Sequence, residues 1–471
     1  MITQNENSTN HHIVTFQEFA QLLESHGPRE KHGGSSRRRI HRVPPQIRSN
    51  RNEIYDPMAV SLGPYHHGKP DLRRAQEFKY TSLDWCASGS DHKKRIFYNK
   101  VLEIIHEIRD CYADISSVDK YDDKALALMM LLDACFIINF METRTRRENN
   151  FHEWRDCLGM AAAISFTSCD IMVLENQIPF KVIKLLIGLR YGERKEGKQL
   201  IHEFLGWILV GKSRLCRIPR EEEEPPLHIL EAYRRVIVEE KSSDNEPSQQ
   251  PGIAFNFRWP QFMRRRSKKK EYIYDQTEWI SQTGRSVMDL KAKGIKFRPS
   301  SFGLIREVKF KSFAFHGQLQ LPMGYLSERT RVILSNMIAY EISPDSNTDL
   351  AVLSFASFMK SLIQSPSDVK ELQERGIWLN KFSNNEEVVK FIKEINTFGL
   401  VNFSNLDYVN QRIREHCDNK AKTWMADLIH TRFRSPWTVI ALLAAILLLC
   451  LTFLQTYFNI HPAQLNQPNS C

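Results

Sequence analysis

The sequence has no CxxC pair and no cysteine with a neighbouring histidine at zinc-ligand spacing, so its nine cysteines do not read as a structural zinc site. Their odd count, and the placement of Cys135 and Cys450 inside apolar runs, fit reduced thiols better than a disulfide framework. The opening residues, MITQNENSTNHHIVTF, carry no basic stretch leading into an apolar one, which argues against a cleaved secretory signal. No GxSxG elbow occurs and no phosphate-binding loop is expected, so hydrolase and nucleotide-binding readings lose their most specific signs. His66-His67 has neither Glu nor His four residues on and reads as a turn rather than a metal pair; no cofactor and no metal are expected.

What is present is a chain of 471 residues, long enough for a substantial core. Its 42% hydrophobic and 25% charged residues sit near globular averages, so most of it is expected to fold. One long apolar run stands out, VIALLAAILLLCLTFL from Val439 to Leu454. With its flanks it gives about 20 uncharged residues, enough to cross a ~30 Å hydrocarbon core. Trp437 and Tyr457 bracket it where aromatic rings prefer the headgroup level. A transmembrane helix is therefore expected at 437–457, followed by a short polar tail at 458–471. Arg432 and Arg434 precede the run and no Lys or Arg follows it, which places the body on the cytoplasmic side in a tail-anchored arrangement. The sequons Asn7-Ser8-Thr9 and Asn402-Phe403-Ser404 would be usable only in the opposite orientation.

The rest reads as a flexible arm at 1–39 and a helical body at 40–430, interrupted by a polar and basic insertion at about 241–283. The expected class is mainly α: a multi-helix body with a small antiparallel β element and the one C-terminal transmembrane helix. FYNKVLEIIHEIRDCY repeats apolar residues at three and four, and KALALMMLLDACFIINFM is apolar on nearly every face, so the second must be central. Pro179 predicts a helix boundary near Gln177. REVKFKSFAFHGQLQLP alternates as a small antiparallel sheet would, and Ser383 with Glu386 predicts a capping box for EEVVKFIKEIN.

Asp133 lies in the apolar run, where an unpaired carboxylate is costly, so it needs a partner. Arg48, His66 and His67 are chemically suitable, as a buried tether to the preceding extended segment or as part of a catalytic site. Glu175, Asn176 and Gln177 crowd polar groups just before Pro179, which frees a carbonyl for an amide side chain. The basic run Arg264, Arg265, Arg266, Lys268, Lys269 and Lys270 contributes to a net charge of +10 and suits acidic lipid headgroups better than nucleic acid.

Several segments resemble one family: VPPQIR from Val43, YDPMAVSLGPYHHG from Tyr55, LMMLLDACFI from Leu128 and DIMVLENQIPF from Asp170, then LHIL, AKGIKF, LQLP, NMIAYE and DVKELQERGI in the same order. The chain is similar to the plant Domain of Unknown Function 247 family over nearly all its length beyond the arm. Ala134 stands where that family usually has Gly, and the basic insertion is outside the shared pattern. The resemblance implies a plant protein, mostly single-pass in a membrane, without established catalytic activity; some grass members are implicated in pollen self-recognition. Together these readings lead to the expectation of a membrane-tethered interaction or recognition protein with a lipid bilayer and a protein as partners, at the plasma membrane. The rival is an enzyme using Asp133, Glu175 and a histidine.

Overall fold

In the computed structural model, residues 38–48, 52–145, 151–160, 165–192, 194–210, 224–238, 285–300, 304–313, 316–397, 406–419 and 436–460 are described. The arm but for its last two residues, the insertion with its basic run, both sequons, Arg432, Arg434 and all but the first residues of the polar tail lie outside them. All elements below belong to the unit Arg39–Cys471.

The helix Asp123–Thr145 has no polar stripe over most of its length, and a helix of that kind must be covered on every side. Asp122 starts it by accepting the Ala125 N–H at 2.7 Å. Around it pack the helices Arg73–Cys86 (α1), Asp91–Glu103 (α2), Phe180–Tyr191 (α4) and Lys195–Val210 (α5), with Asp123–Thr145 itself as α3. Phe78, Phe136, Phe140, Trp154 and Phe204 meet edge-on or tilted along its flank, with centroids 4.8–6.2 Å apart. Such offsets suit the ring quadrupoles better than face-to-face stacking. Among the described residues α3 is the helix long and apolar enough to cross a membrane, and 89% of its apolar window is buried in the protein. It is a core helix.

Pro179 stops the preceding turn and α4 starts at Phe180, as its sequence position predicts. Next come Ile229–Val238 (α6) and a short helix, Val287–Ala292, that Gly294 ends at φ +78°. The strands are Ile295–Pro299 (β1), Lys309–Ser312 (β2) and Gly317–Leu321 (β3). β2 and β3 pair antiparallel, as expected, with Phe310 opposite Leu319 on the buried face. The β element is nevertheless not purely antiparallel. β1 joins the other edge of β3 in parallel, Ile295 facing Gly317, and Gly324–Leu326 (β4) pairs in parallel with Trp378–Asn380 (β5). Parallel pairing joins strands separated by crossovers, a relation that alternation within one segment cannot display.

The last part is helical: Glu328–Glu341 (α7), Ala351–Leu362 (α8), Pro366–Glu374 (α9), Asn385–Glu394 (α10), Leu406–Asp418 (α11) and Pro436–Ile460 (α12). The cap of α10 falls one residue later than Ser383: Asn384 accepts the Glu387 N–H at 2.8 Å, while Glu387 reaches back to the Ser383 N–H at 3.2 Å. The amide side chain of Asn384 can serve the same donor as a serine, which is why either reading fits the sequence. Trp437 lies in the first turn of α12 and Tyr457, 52% exposed, near its end. Along α12 the apolar stretch whose side chains are described is Ala444–Tyr457, shorter than a bilayer crossing needs, so the expected span is not itself displayed.

Candidate functional site

Residues 57–68 run through the interior without regular secondary structure apart from turns, and seven in a row, 60–66, are buried. Buried backbone without a ladder must find side-chain partners. Asp170 supplies three: it accepts the N–H groups of Met58, Ala59 and Val60 at 2.9, 2.7 and 2.8 Å. Asn176 accepts the Leu62 N–H at 2.7 Å and donates to the Val60 and Asp170 carbonyls at 3.0 Å. Asp133 accepts the Gly63 N–H at 2.7 Å. Burial raises the Asp170 carboxyl to about 7 against the lowering pull of its three amide donors.

The charge partner of Asp133 is Lys79 on α1, at 2.5 Å, rather than Arg48, His66 or His67. Both side chains are buried, and Lys79 also donates to the Ser61 carbonyl at 2.6 Å. Burial drives the Lys79 pKa down while Asp133 pulls it up. A neighbouring group holds Arg48 instead. Glu175, 2% exposed, accepts Arg48 at 2.7 Å and the Val43 N–H at 2.8 Å, and Arg48 also binds Asp56 at 2.6 Å. His66 Nε2 stands 3.5 Å from Glu175, but burial and the Lys69 cation push the imidazole down to about 3, so the ring is neutral. His67 packs edge-on against Tyr121 at 5.6 Å. Gln177 donates to the Ile171 and Val173 carbonyls at 2.7 Å and accepts the Leu230 N–H at 3.2 Å, which ties α6 to the segment before Pro179.

The structure therefore brings Arg48, His66 and Glu175 together in one cluster, puts Asp133 with Lys79 in another, and uses Asn176 and Gln177 as backbone clamps. A general acid or base needs a reacting atom within reach. Here the oxygens of Asp133 and Glu175 are taken by backbone amides and cations, so the arrangement is one of structural bonds. Two further clamps escaped the sequence reading. Asn336 accepts the Leu174 N–H at 2.9 Å and donates to the Ile54 carbonyl at 2.8 Å; Glu341 accepts the Val352 and Leu353 N–H groups at the start of α8 and pairs with Arg234 at 2.7 Å. Their signal was a polar residue inside the apolar NMIAYE helix.

The expectation of no phosphate-loop spacing needs correction at one place. Gly206 to Ser213 reads GWILVGKS and meets GxxxxGK[ST]. Residues 206–210 belong to α5, with Leu205 and Ile208 buried, whereas a phosphate cradle needs a loop between a strand and a helix; Gly211 to Ser213 lie outside the described residues. The spacing does not carry a nucleotide site. Among the described residues no three His, Cys, Asp or Glu are placed to hold a metal ion.

Elsewhere a cavity of about 410 Å³ opens between α5, α6, α7, α8, α10 and the β4–β5 pair. Of its lining residues, Phe391, Ile392 and Ile395 were legible as one apolar face of EEVVKFIKEIN, and none was expected at a functional site.

The profile of the plant Domain of Unknown Function 247 family, described as a plant protein of unknown function, matches residues 40–451. The chain belongs to this family. A putative UPF0481 protein of Arabidopsis thaliana is 23% identical, over 89% of this chain and 89% of its own length. A second Arabidopsis thaliana UPF0481 protein is 25% identical, over 88% of this chain and 85% of its own. No solved structure matches. In this member of Domain of Unknown Function 247, the four segments that carried the resemblance meet at the clamps: Val43 and Arg48 on Glu175, residues 58–63 on Asp170, Asn176 and Asp133.

Proposed function

We propose that this chain is a membrane-tethered binding protein, in which α12 crosses a bilayer and holds the clamped helical body at the cytoplasmic face for a protein partner. The observation that carries the reading is the exposure of α12. Every described side chain along it faces outward, including Leu447 at 62%, Leu449 at 70% and Phe453 at 73% exposed. An apolar surface of that extent needs lipid or protein over it. Two of its hydroxyls already suit hydrocarbon: Thr452 and Thr456 donate to the carbonyls four residues back at 2.8 Å. The whole helix has 25 residues, about 37 Å at 1.5 Å per residue, against a ~30 Å core.

Arg432 and Arg434 before the helix, with no Lys or Arg in residues 458–471, favour a cytoplasmic body, and the basic run Arg264 to Lys270 would then meet acidic headgroups at about 1 kcal/mol per cation. The partner is sought among proteins because the polar residues picked out in the sequence serve the fold rather than chemistry. The test is an alkaline carbonate wash of membranes carrying the full chain or a version lacking residues 436–460. Retention of the first and release of the second is expected; release of both would end the tethering idea.

A further inference from the structure

We propose that the cavity beside α7 binds a single-chain amphipathic carboxylate, with the chain among the apolar side chains and the head group on Arg329. The proposal goes beyond membrane tethering and does not rest on it. At about 410 Å³ the cavity falls in the ~300–1,000 Å³ range of small-ligand sites, and one acyl chain suits it better than two. Its wall is mostly hydrocarbon and aromatic, with Ile237, Met337, Phe355, Trp378 and Ile392 among the contributors. The charged residues in the described lining are Arg329 and Lys381, both cations, and no Asp or Glu joins them.

Arg329 carries the argument. Its Nε and Nη2 have no hydrogen-bond partner among the described residues and are closed to solvent, so a carboxylate reaches them as the guanidinium turns toward the cavity that Arg329 lines. Those two nitrogens form the side edge of the guanidinium, the edge that a planar carboxylate takes with two parallel bonds. The guanidinium lies 4.6 Å over the Trp207 ring, which fixes the plane without neutralising the charge. Burial, a helix N-terminus and a second cation oppose its charge, against the weaker pull of Tyr233 and Cys169. Arg329 sits in the first turn of α7, where the helix dipole is already positive. Arg144 stands close enough that burial and Arg329 together bring its pKa down to about 10, and burial lowers Arg329 as well. A covered guanidinium without a counter-charge is costly, and an anionic ligand would offset that cost on binding.

The full chain in lipid nanodiscs, with empty discs subtracted, is titrated with fluorescent parinaric acid and then with competitors. Oleate is expected to displace the probe, and oleyl alcohol, which has the same chain without the charge, to do so at least about ten-fold more weakly. Arg329→Gln should abolish the difference between acid and alcohol, and Arg329→Lys should keep part of it. Equal displacement by acid and alcohol from the unaltered chain, or none by either, overturns the proposal, and that comparison holds even if a variant fails to fold. Displacement by a lysophosphatidate but not by oleate would overturn the carboxylate assignment in favour of a phosphate head group.

Discussion

Lys79 Nζ lies 2.5 Å from an Asp133 carboxylate oxygen in the interior, joining α1 to the core helix α3 beneath the buried loop. Breaking a buried pair on one side leaves a charge without compensation, which costs about 3–5 kcal/mol. Lys79→Met and Asp133→Asn are each expected to lower the unfolding free energy from chemical denaturation by an amount of that order. Asp133→Asn retains an acceptor for Gly63, so it should be the milder. The double variant Lys79→Met/Asp133→Leu should recover part of the loss and not all of it, because the Gly63 N–H and the Ser61 carbonyl then lack partners. Single-variant costs below about 1 kcal/mol would mean that water reaches the pair, against its burial.

Gly63 and Gly68 both have positive φ, +70° and +86°, yet only one is enclosed. A Cβ on Gly63 would stand 2.7 Å from the Gln177 carbonyl oxygen and 3.0 Å from the Tyr112 hydroxyl, whereas one on Gly68 meets nothing within 4 Å. Gly68→Ala should cost about 1–2 kcal/mol from the left-handed backbone alone. Gly63→Ala adds a backbone clash to the same strain and should cost distinctly more. Equal losses in unfolding experiments would show that the loop shifts freely over Gln177.

The neutral state of His66 gives stability a pH dependence. Its imidazole is held at about 3 in the fold, through burial and the cations Lys69, Arg48 and Arg42 set against Asp56, while an unfolded histidine titrates near 6.5. Between those values the unfolded chain binds more protons, so stability falls as the pH falls. The slope is at most about 1.4 kcal/mol per pH unit, and the contribution is complete above about pH 6.5. Urea titrations at pH 7 and pH 5 should show His66→Gln losing up to about 2 kcal/mol less than the unaltered chain. The carboxylates common to both cancel in that difference. Equal pH dependence in the two would mean that His66 takes a proton in the fold and pairs with Glu175.

How far the sequence was legible depends on what each residue must satisfy locally. α3 announced itself because no face of it suits water, and the need of Asp133 for a partner followed from the same fact. The partner did not, since lysine is normally exposed. Yet Lys79 falls in the stripe Ala75, Lys79, Ser82 and Cys86, all buried at helical spacing on α1, and that stripe was a readable sign. Pro179 and the β2–β3 hairpin were legible from local rules. The parallel partners of β3 and β4 come from distant parts of the chain, and Arg329 in SERTR looks like any solvated arginine until β4, α5 and α7 close around it.

The thiols allow the orientation and the span to be read in one experiment. Cys157 on the body and Cys450 in α12 are free and exposed in the isolated chain, so both should react with a maleimide in detergent. With Cys216 and Cys471 replaced by Ser, an impermeant maleimide is applied to sealed vesicles whose cytoplasmic face is outward. A body on that face predicts labelling of Cys157, while a membrane-crossing α12 shields Cys450 in hydrocarbon, where thiolate does not form. Cys157 labelling only after permeabilisation would invert the topology and make Asn7 and Asn402 candidates for glycosylation. Cys450 labelling in intact vesicles would instead mean that α12 does not cross the bilayer, because an aqueous reagent does not enter its core.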